Sequence, residues 1–67
     1  MIVLNGKARE HDAGEVVAAL VESLGLPQRA RGVAVAIDGE VVPRAAWETH
    51  AVPDGARVEV LTAMQGG

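Results

Sequence analysis

Residues 12–27 read "DAGEVVAALVESLGLP", a segment carrying helix signals at both ends. Asp12 is placed to cap the N-terminus, with Glu15 three residues on as its capping-box partner, and Gly25 followed by Pro27 supplies the stop. The pattern predicts a helix over 15–24. Within it Val17, Leu20, Val21 and Leu24 fall at i, i+3, i+4 and i+7, one apolar stripe that has to be covered by a sheet. Glu22 and Ser23 fall on the solvent side.

On the N-terminal side, "MIVLNGKAREH" sets Asn5-Gly6 between two short runs. Both positions of a two-residue hairpin turn need positive φ, which this dipeptide accepts. Such a turn pairs Leu4 with Lys7, Val3 with Ala8 and Ile2 with Arg9, and paired residues share a face. Avoiding charge in the core then makes Val3 and Ala8 the core side. Ile2 and Leu4 are left beside Lys7 and Arg9 on the open face.

Beyond the polar link "QRARG", the run "VAVAID" is β-branched at every second position, so Val33, Val35 and Ile37 are core candidates. "DGEVV" is a turn and a short strand, and "PRAAWETH" is long enough for a single helical turn only. "PDG" turns the chain into the last strand, "ARVEVLTAM", where Val58 and Val60 alternate inward. The expected order is strand, strand, helix, strand, strand, strand: an α+β domain whose mixed sheet carries one helix across one face. The first and last strands become neighbours if the helix crosses that face.

Composition narrows the function. A chain of 67 residues makes one domain, 1–67, too small to enclose a catalytic pocket of its own. With no Cys there are no disulfides, thiolate metal sites or thiol nucleophile. The core has to be built from Val, Leu, Ile and Ala, since Phe and Tyr are absent and Trp47 is the single Trp. Net charge is −3, and the six Lys and Arg are dispersed among nine Asp and Glu. That distribution lacks the basic stripe and stacking platform that a nucleic acid requires. No apolar run has the length of a signal-peptide core or a membrane span, which points to the cytoplasm.

The chain closes on "TAMQGG". Together with the opening "VLNGK", the stretch "VAIDGEVVPRAAWETHAVPDGARVEVLTAMQGG" resembles the thiamine-pathway sulfur carrier proteins, the ThiS family, over essentially the whole chain. Those proteins carry an AIN-type strand end, VPR, a Trp shortly after it, an acidic-Gly turn, an apolar last strand and terminal Gly-Gly. Asp38 departs from the usual Asn, with little effect on the turn because both residues tolerate positive φ.

The resemblance implies a ubiquitin-like β-grasp fold and a sulfur carrier that is a co-substrate and no catalyst. In it, the carboxyl of Gly67 is adenylated by an E1-like enzyme of the ThiF type, which supplies the ATP and Mg²⁺ site. A persulfide enzyme then provides the sulfur, and the resulting thiocarboxylate donates it to a thiazole synthase of the ThiG type. The carrier itself binds no cofactor or metal. A sulfur carrier without a thiol needs another attachment point, and the Gly67 carboxyl is the available one. Gly66 and Gly67 make the tail thin, and 63–67 can reach about 15 to 18 Å beyond a sheet.

Leu61 and Met64, near the exit of the last strand, are candidate partner contacts. Arg44 reads either as a solvated charge or as a docking residue, and Trp47 as the anchor of the single turn. His11 and His50 lack ligand spacing and read as surface residues without assigned chemistry. Two other readings stay open: a carrier of the molybdopterin synthase small-subunit type, and a β-grasp interaction module or ubiquitin-like protein modifier.

Overall fold

The computed structural model describes residues 1–12, 14–25 and 32–62. It contains β1 (Ile2–Leu4), β2 (Lys7–Arg9), α1 (Val17–Ser23), β3 (Val33–Ile37), β4 (Glu40–Val42), a 3₁₀ turn (Arg44–Ala46) and β5 (Arg57–Thr62). The five strands form one sheet in the order β2-β1-β5-β3-β4. Only β1 and β5 run parallel; the other neighbours are antiparallel. The expected mixed sheet, with first and last strands adjacent, is what forms.

Two hairpins of like geometry bracket the helix. Asn5 (φ 49°) and Gly6 (φ 85°) turn β1 into β2, and Asp38 (φ 50°) and Gly39 (φ 87°) turn β3 into β4. Asn and Asp occupy this region more readily than other side chains, and Gly without penalty, so both turns follow from the local sequence. The first hairpin has the expected register: Ile2 opposite Arg9, Val3 opposite Ala8, Leu4 opposite Lys7.

Its facing is the reverse of the expectation. Ile2 is buried and Leu4 packs against the core, whereas Val3 and Ala8 are exposed. Two large aliphatic residues outweigh a Val and an Ala, and β2 is an edge strand, where long cationic side chains need not enter the core. Arg9 shows how this is managed: its Nη2 reaches past the sheet and donates to Ser23 Oγ at 2.7 Å. Pairing with β5 adds to the preference, because Leu4 shares a row with the fully buried Val58 and Val3 with exposed Arg57.

The helix also begins later than expected. Val16 is extended (φ −92°, ψ 162°) and forms an isolated antiparallel bridge with Ala51, while Val52 N–H donates to the Glu15 carbonyl at 2.8 Å. Held in this pairing, 15 and 16 cannot be helical, and α1 starts at Val17. Asp12 makes no cap; its carbonyl accepts from Glu15 N–H in a local turn. The caps come from elsewhere in the chain, since Val17 N–H donates to the His50 carbonyl and Ala18 N–H to the Trp47 carbonyl, both at 2.9 Å. Tertiary pairing has overridden a local capping signal. At the other end the stop is as expected: Gly25 takes φ 80° and its N–H donates to the Glu22 carbonyl.

The stripe of α1 (Val17, Leu20, Val21) packs with Ile2, Val35, Ile37, Val42, Val58 and Val60 of the sheet, and Trp47 joins the same cluster. Trp47 is 3% exposed, and its Nε1 donates to the Val42 carbonyl at 3.0 Å. It therefore fixes the 3₁₀ turn to the end of β4 while its own carbonyl caps α1. His11, expected at the surface, has a ring buried between this layer and the 50s loop, with side-chain exposure of 3% and Nε2 placed 3.3 Å from the Val52 carbonyl oxygen. His50 is exposed.

The facing of β1 is testable by paired truncation. Ile2→Ala is expected to cost about 2–5 kcal/mol in chemical denaturation, the range for a fully packed aliphatic side chain. Val3→Ala should stay within about 0.5 kcal/mol. Equal costs would contradict the assigned faces.

Candidate functional site

α1 covers one face of the sheet, and among the described residues the other face is open. Rows of the ladder place Ala8, Val3 and Arg57 together there, followed by Glu59, Ala36 and Val41, then Leu61 and Ala34. The exposed large apolar residues of this face are Val41 (72%), Leu61 (65%) and Val3 (37%). Two charges of opposite sign, Arg57 and Glu59, interrupt an otherwise small and apolar surface. Arg57 is held from the side, its N–H donating to Asp38 Oδ1 at 2.9 Å. Exposed apolar side chains gathered on one face of a small domain are candidate contacts for another protein.

The described part of β5 ends at Thr62, one residue beyond Leu61 of this face. Thr62 pairs with Val33 and Leu61 with Ala34. Of the candidate residues, Leu61 is thus placed on the open face within three residues of the tail. Met64, Gly66 and Gly67 lie outside the described residues.

Arg44 belongs to a different surface. It opens the 3₁₀ turn after β4, and its guanidinium lies over the Trp47 ring at 4.6 Å from the centroid. This cation–π contact associates it with the helix-side layer. The structure does not bring Arg44 and Leu61 onto one face.

Sequence reasoning missed Asn5. Its backbone makes the expected turn, but its side chain also crosses to β5: Oδ1 accepts from Val60 N–H at 2.9 Å and Nδ2 donates to the Val60 carbonyl at 3.2 Å. Asp or Gly would serve the turn equally well, and only Asn offers both a donor and an acceptor. That distinction is the one signal the sequence held.

A separate polar corner lies at the far end of β5, where the chain enters the strand. Asp54 pairs with the Met1 ammonium, which holds its carboxyl below the usual carboxylate range, and His11 Nδ1 lies 4.0 Å from Asp54 Oδ1. Among the described residues no three His, Cys, Asp or Glu converge as metal ligands. No helix among them is long and apolar enough to cross a membrane.

This arrangement, a helix on one face of a mixed sheet with a terminal strand running out beside an apolar surface, has relatives. The ThiS family matches residues 2–67. The chain belongs to the ThiS family. It is 38% identical over 66 residues to the "Sulfur carrier protein ThiS" of Escherichia coli (strain K12), covering 98% of this chain and 97% of that one. A crystal structure of the thiamine biosynthesis protein ThiS from Geobacter metallireducens superposes with a TM-score of 0.76 at 37% identity, covering 98% of this chain and 97% of that chain. A solution structure of a thiamine biosynthesis protein from the same organism gives the same TM-score and identity.

A "Thiazole synthase" of Paramagnetospirillum magneticum is 36% identical over 98% of this chain, which spans only 20% of that protein's length. The fold is the ubiquitin-like β-grasp of the ThiS structures, and the function is that of a sulfur carrier in thiamine biosynthesis, a carried co-substrate and not an enzyme.

Because the exposed Arg44 guanidinium lies over the buried Trp47 ring, Arg44→Ala is expected to lower the unfolding free energy by about 0.5–1 kcal/mol. The shift in denaturation midpoint checks it. A value indistinguishable from the parent would show that the stacked pair contributes nothing to the Trp47 layer.

Proposed function

We propose that the sulfur is carried on the carboxyl carbon of Gly67. The observation that supports this most strongly is that a chain of the sulfur-carrier family contains no cysteine. Methionine thioether sulfur is already bonded twice to carbon and cannot serve as a transferable acyl-bound sulfur. The terminal carboxyl can, once it is activated.

The chemistry runs in two stages. A carboxylate is a poor electrophile, so its oxygen first attacks the α-phosphorus of ATP, pyrophosphate leaves, and an acyl adenylate results. The terminal sulfur of a persulfide then attacks the acyl carbon and AMP departs. A thiol cleaves the sulfur–sulfur bond of that product, which leaves the thiocarboxylate on Gly67 and a disulfide on the donor side. An E1-like adenylating enzyme of the ThiF type provides the ATP and Mg²⁺ site, since positioning the tail in line with the α-phosphorus is work for an enclosed site. The carrier provides a reachable carboxylate.

A thiazole synthase of the ThiG type is the sulfur acceptor in this reading. The Paramagnetospirillum relative supports it: a segment similar to the whole carrier shares one polypeptide with a protein named for that synthesis. Covalent linkage of two units raises their effective concentration, which is useful when one must repeatedly present its end to the other. The enzymes named here are cytoplasmic in this reading, and so is the carrier.

Docking uses the open face. Leu61 is exposed beside the strand exit and, with Val3, Ala34, Ala36 and Val41, offers the apolar ground on which a partner can fix the domain while the tail enters its site. Met64, three residues beyond Leu61 in the sequence, is the second candidate contact.

Three variants separate the tail from the face. Deleting Gly67 should abolish ATP–pyrophosphate exchange with the adenylating enzyme and leave the thermal midpoint unchanged. Adding one residue after Gly67 should be nearly as damaging, because the carboxylate moves by about 3.5 Å, beyond the tolerance of a near-attack geometry. Activation of the extended protein at the parental rate would contradict the assignment. Leu61→Glu, by contrast, should weaken enzyme binding by about 1–2 kcal/mol with the fold retained. Parental affinity for that variant would exclude the open face as the dock.

A further inference from the structure

β1 ends at Leu4, but β5 runs on to Thr62. Along the shared border, the Ala56 carbonyl accepts from Val3 N–H and the Val58 carbonyl from Asn5 N–H, both at 2.9 Å. The next rung of that series is Val60, and no backbone of β1 is left to meet it. The Asn5 side chain does, with its amide oxygen on Val60 N–H and its amide nitrogen on the Val60 carbonyl. A primary amide presents an acceptor and a donor at the spacing of a peptide group, so it can stand in for one more strand residue.

We infer that Asn5 is a positioning residue for the tail: its amide extends the β1 border by one rung and holds the exit end of β5 from both sides. The inference rests on the proposed docking of this end and on Gly67 as the reacting terminus. Successive strand residues point their backbone groups to opposite neighbours, so Val60 faces Asn5 while Leu61 faces its partner Ala34 on β3. Val60 and Leu61 are thus clamped alternately from left and right. Leu61, the apolar contact of the open face, is displayed from a strand that is fixed on both borders. Without the amide, everything after Val58 would be an edge supported by β3 alone, and a partner would have to order it on binding.

Asn5→Gly is the decisive variant, because glycine keeps the positive φ of the turn (49° at Asn5) and removes only the bridge. Amide hydrogen exchange on the carrier alone should show Val60 exchanging at least about tenfold faster, with Leu61 changing much less. With the adenylating enzyme, the apparent KM for the carrier should rise about fivefold, the net worth of one or two hydrogen bonds, while kcat stays within about twofold. A purely structural role would not do this: below the unfolding transition the variant would be as fully folded as the parent and its KM would be unchanged.

Asn5→Asp supplies the second variant. It also tolerates the turn, keeps the acceptor for Val60 N–H and lacks the donor, so its KM should fall between parent and Asn5→Gly. Unchanged Val60 exchange, or a parental KM in both variants, overturns the inference. If the parent itself were not adenylated, the functional reading would fail, and the exchange measurement, made without any partner, would still decide whether the Asn5 amide holds Val60.

Discussion

The parallel pairing of β1 with β5 at the centre of the sheet is the constraint on which the rest of the structure depends. Parallel neighbours cannot be joined by a tight turn, so the chain between them has to cross a face, and the crossover here is α1. One face is consequently covered, and the other is bare among the described residues. The same pairing brings residues near the two ends of the described chain into one row, Val3 beside Arg57 and Leu4 beside Val58. It also sets the strand that leads to the tail in the middle of the sheet, where β3 flanks it on one side and β1, continued by the Asn5 amide, on the other. A central last strand gives the residues that follow it a firm base.

A domain of this size has little apolar surface to bury, and it contains one aromatic residue. Trp47 accordingly takes several tasks. Its ring fills the layer beneath α1, its indole N–H satisfies the Val42 carbonyl, and its own carbonyl accepts from the first turn of the helix. The loop around residues 47–52 substitutes for a local cap through the carbonyls of Trp47 and His50 and through the Val16–Ala51 bridge. Helix, 3₁₀ turn and β4 are therefore tied into one cooperative unit, and loss of any one exposes the ends of the others.

Most of the architecture was legible in the sequence, because it was written in signals that act over a few residues. Asn5-Gly6 and Asp38-Gly39 specify their turns by φ alone, and the turn length then dictates the strand register. The stripe Val17, Leu20, Val21 and the stop at Gly25 act just as locally. Two features were misjudged where a distant partner decides. Asp12 and Glu15 form a plausible capping box, yet pairing with the 50s loop holds 15 and 16 extended. The facing of Ile2 and Leu4 is the reverse of the expectation because β2 is an edge strand, from which the long stems of Lys7 and Arg9 lead the charges out. His11 and Asn5 illustrate the same limit: a ring buried under Val52 and an amide spanning to Val60 depend on contacts more than 40 residues away in sequence. Of the candidate residues, Leu61 is exposed on the open face and Arg44 stacks on Trp47; Met64, Gly66 and Gly67 lie outside the described residues.

In the proposed function the β-grasp domain is a handle and the chemistry takes place on the carboxyl of Gly67. The most direct test is intact-mass measurement, followed by fragmentation, of the protein isolated from its own cells under thiamine starvation with the downstream synthase removed. The account predicts a species heavier by the difference between sulfur and oxygen, with the added mass confined to the C-terminal fragment that contains Gly67. An unmodified carboxylate throughout, or sulfur found on any other residue, would contradict it.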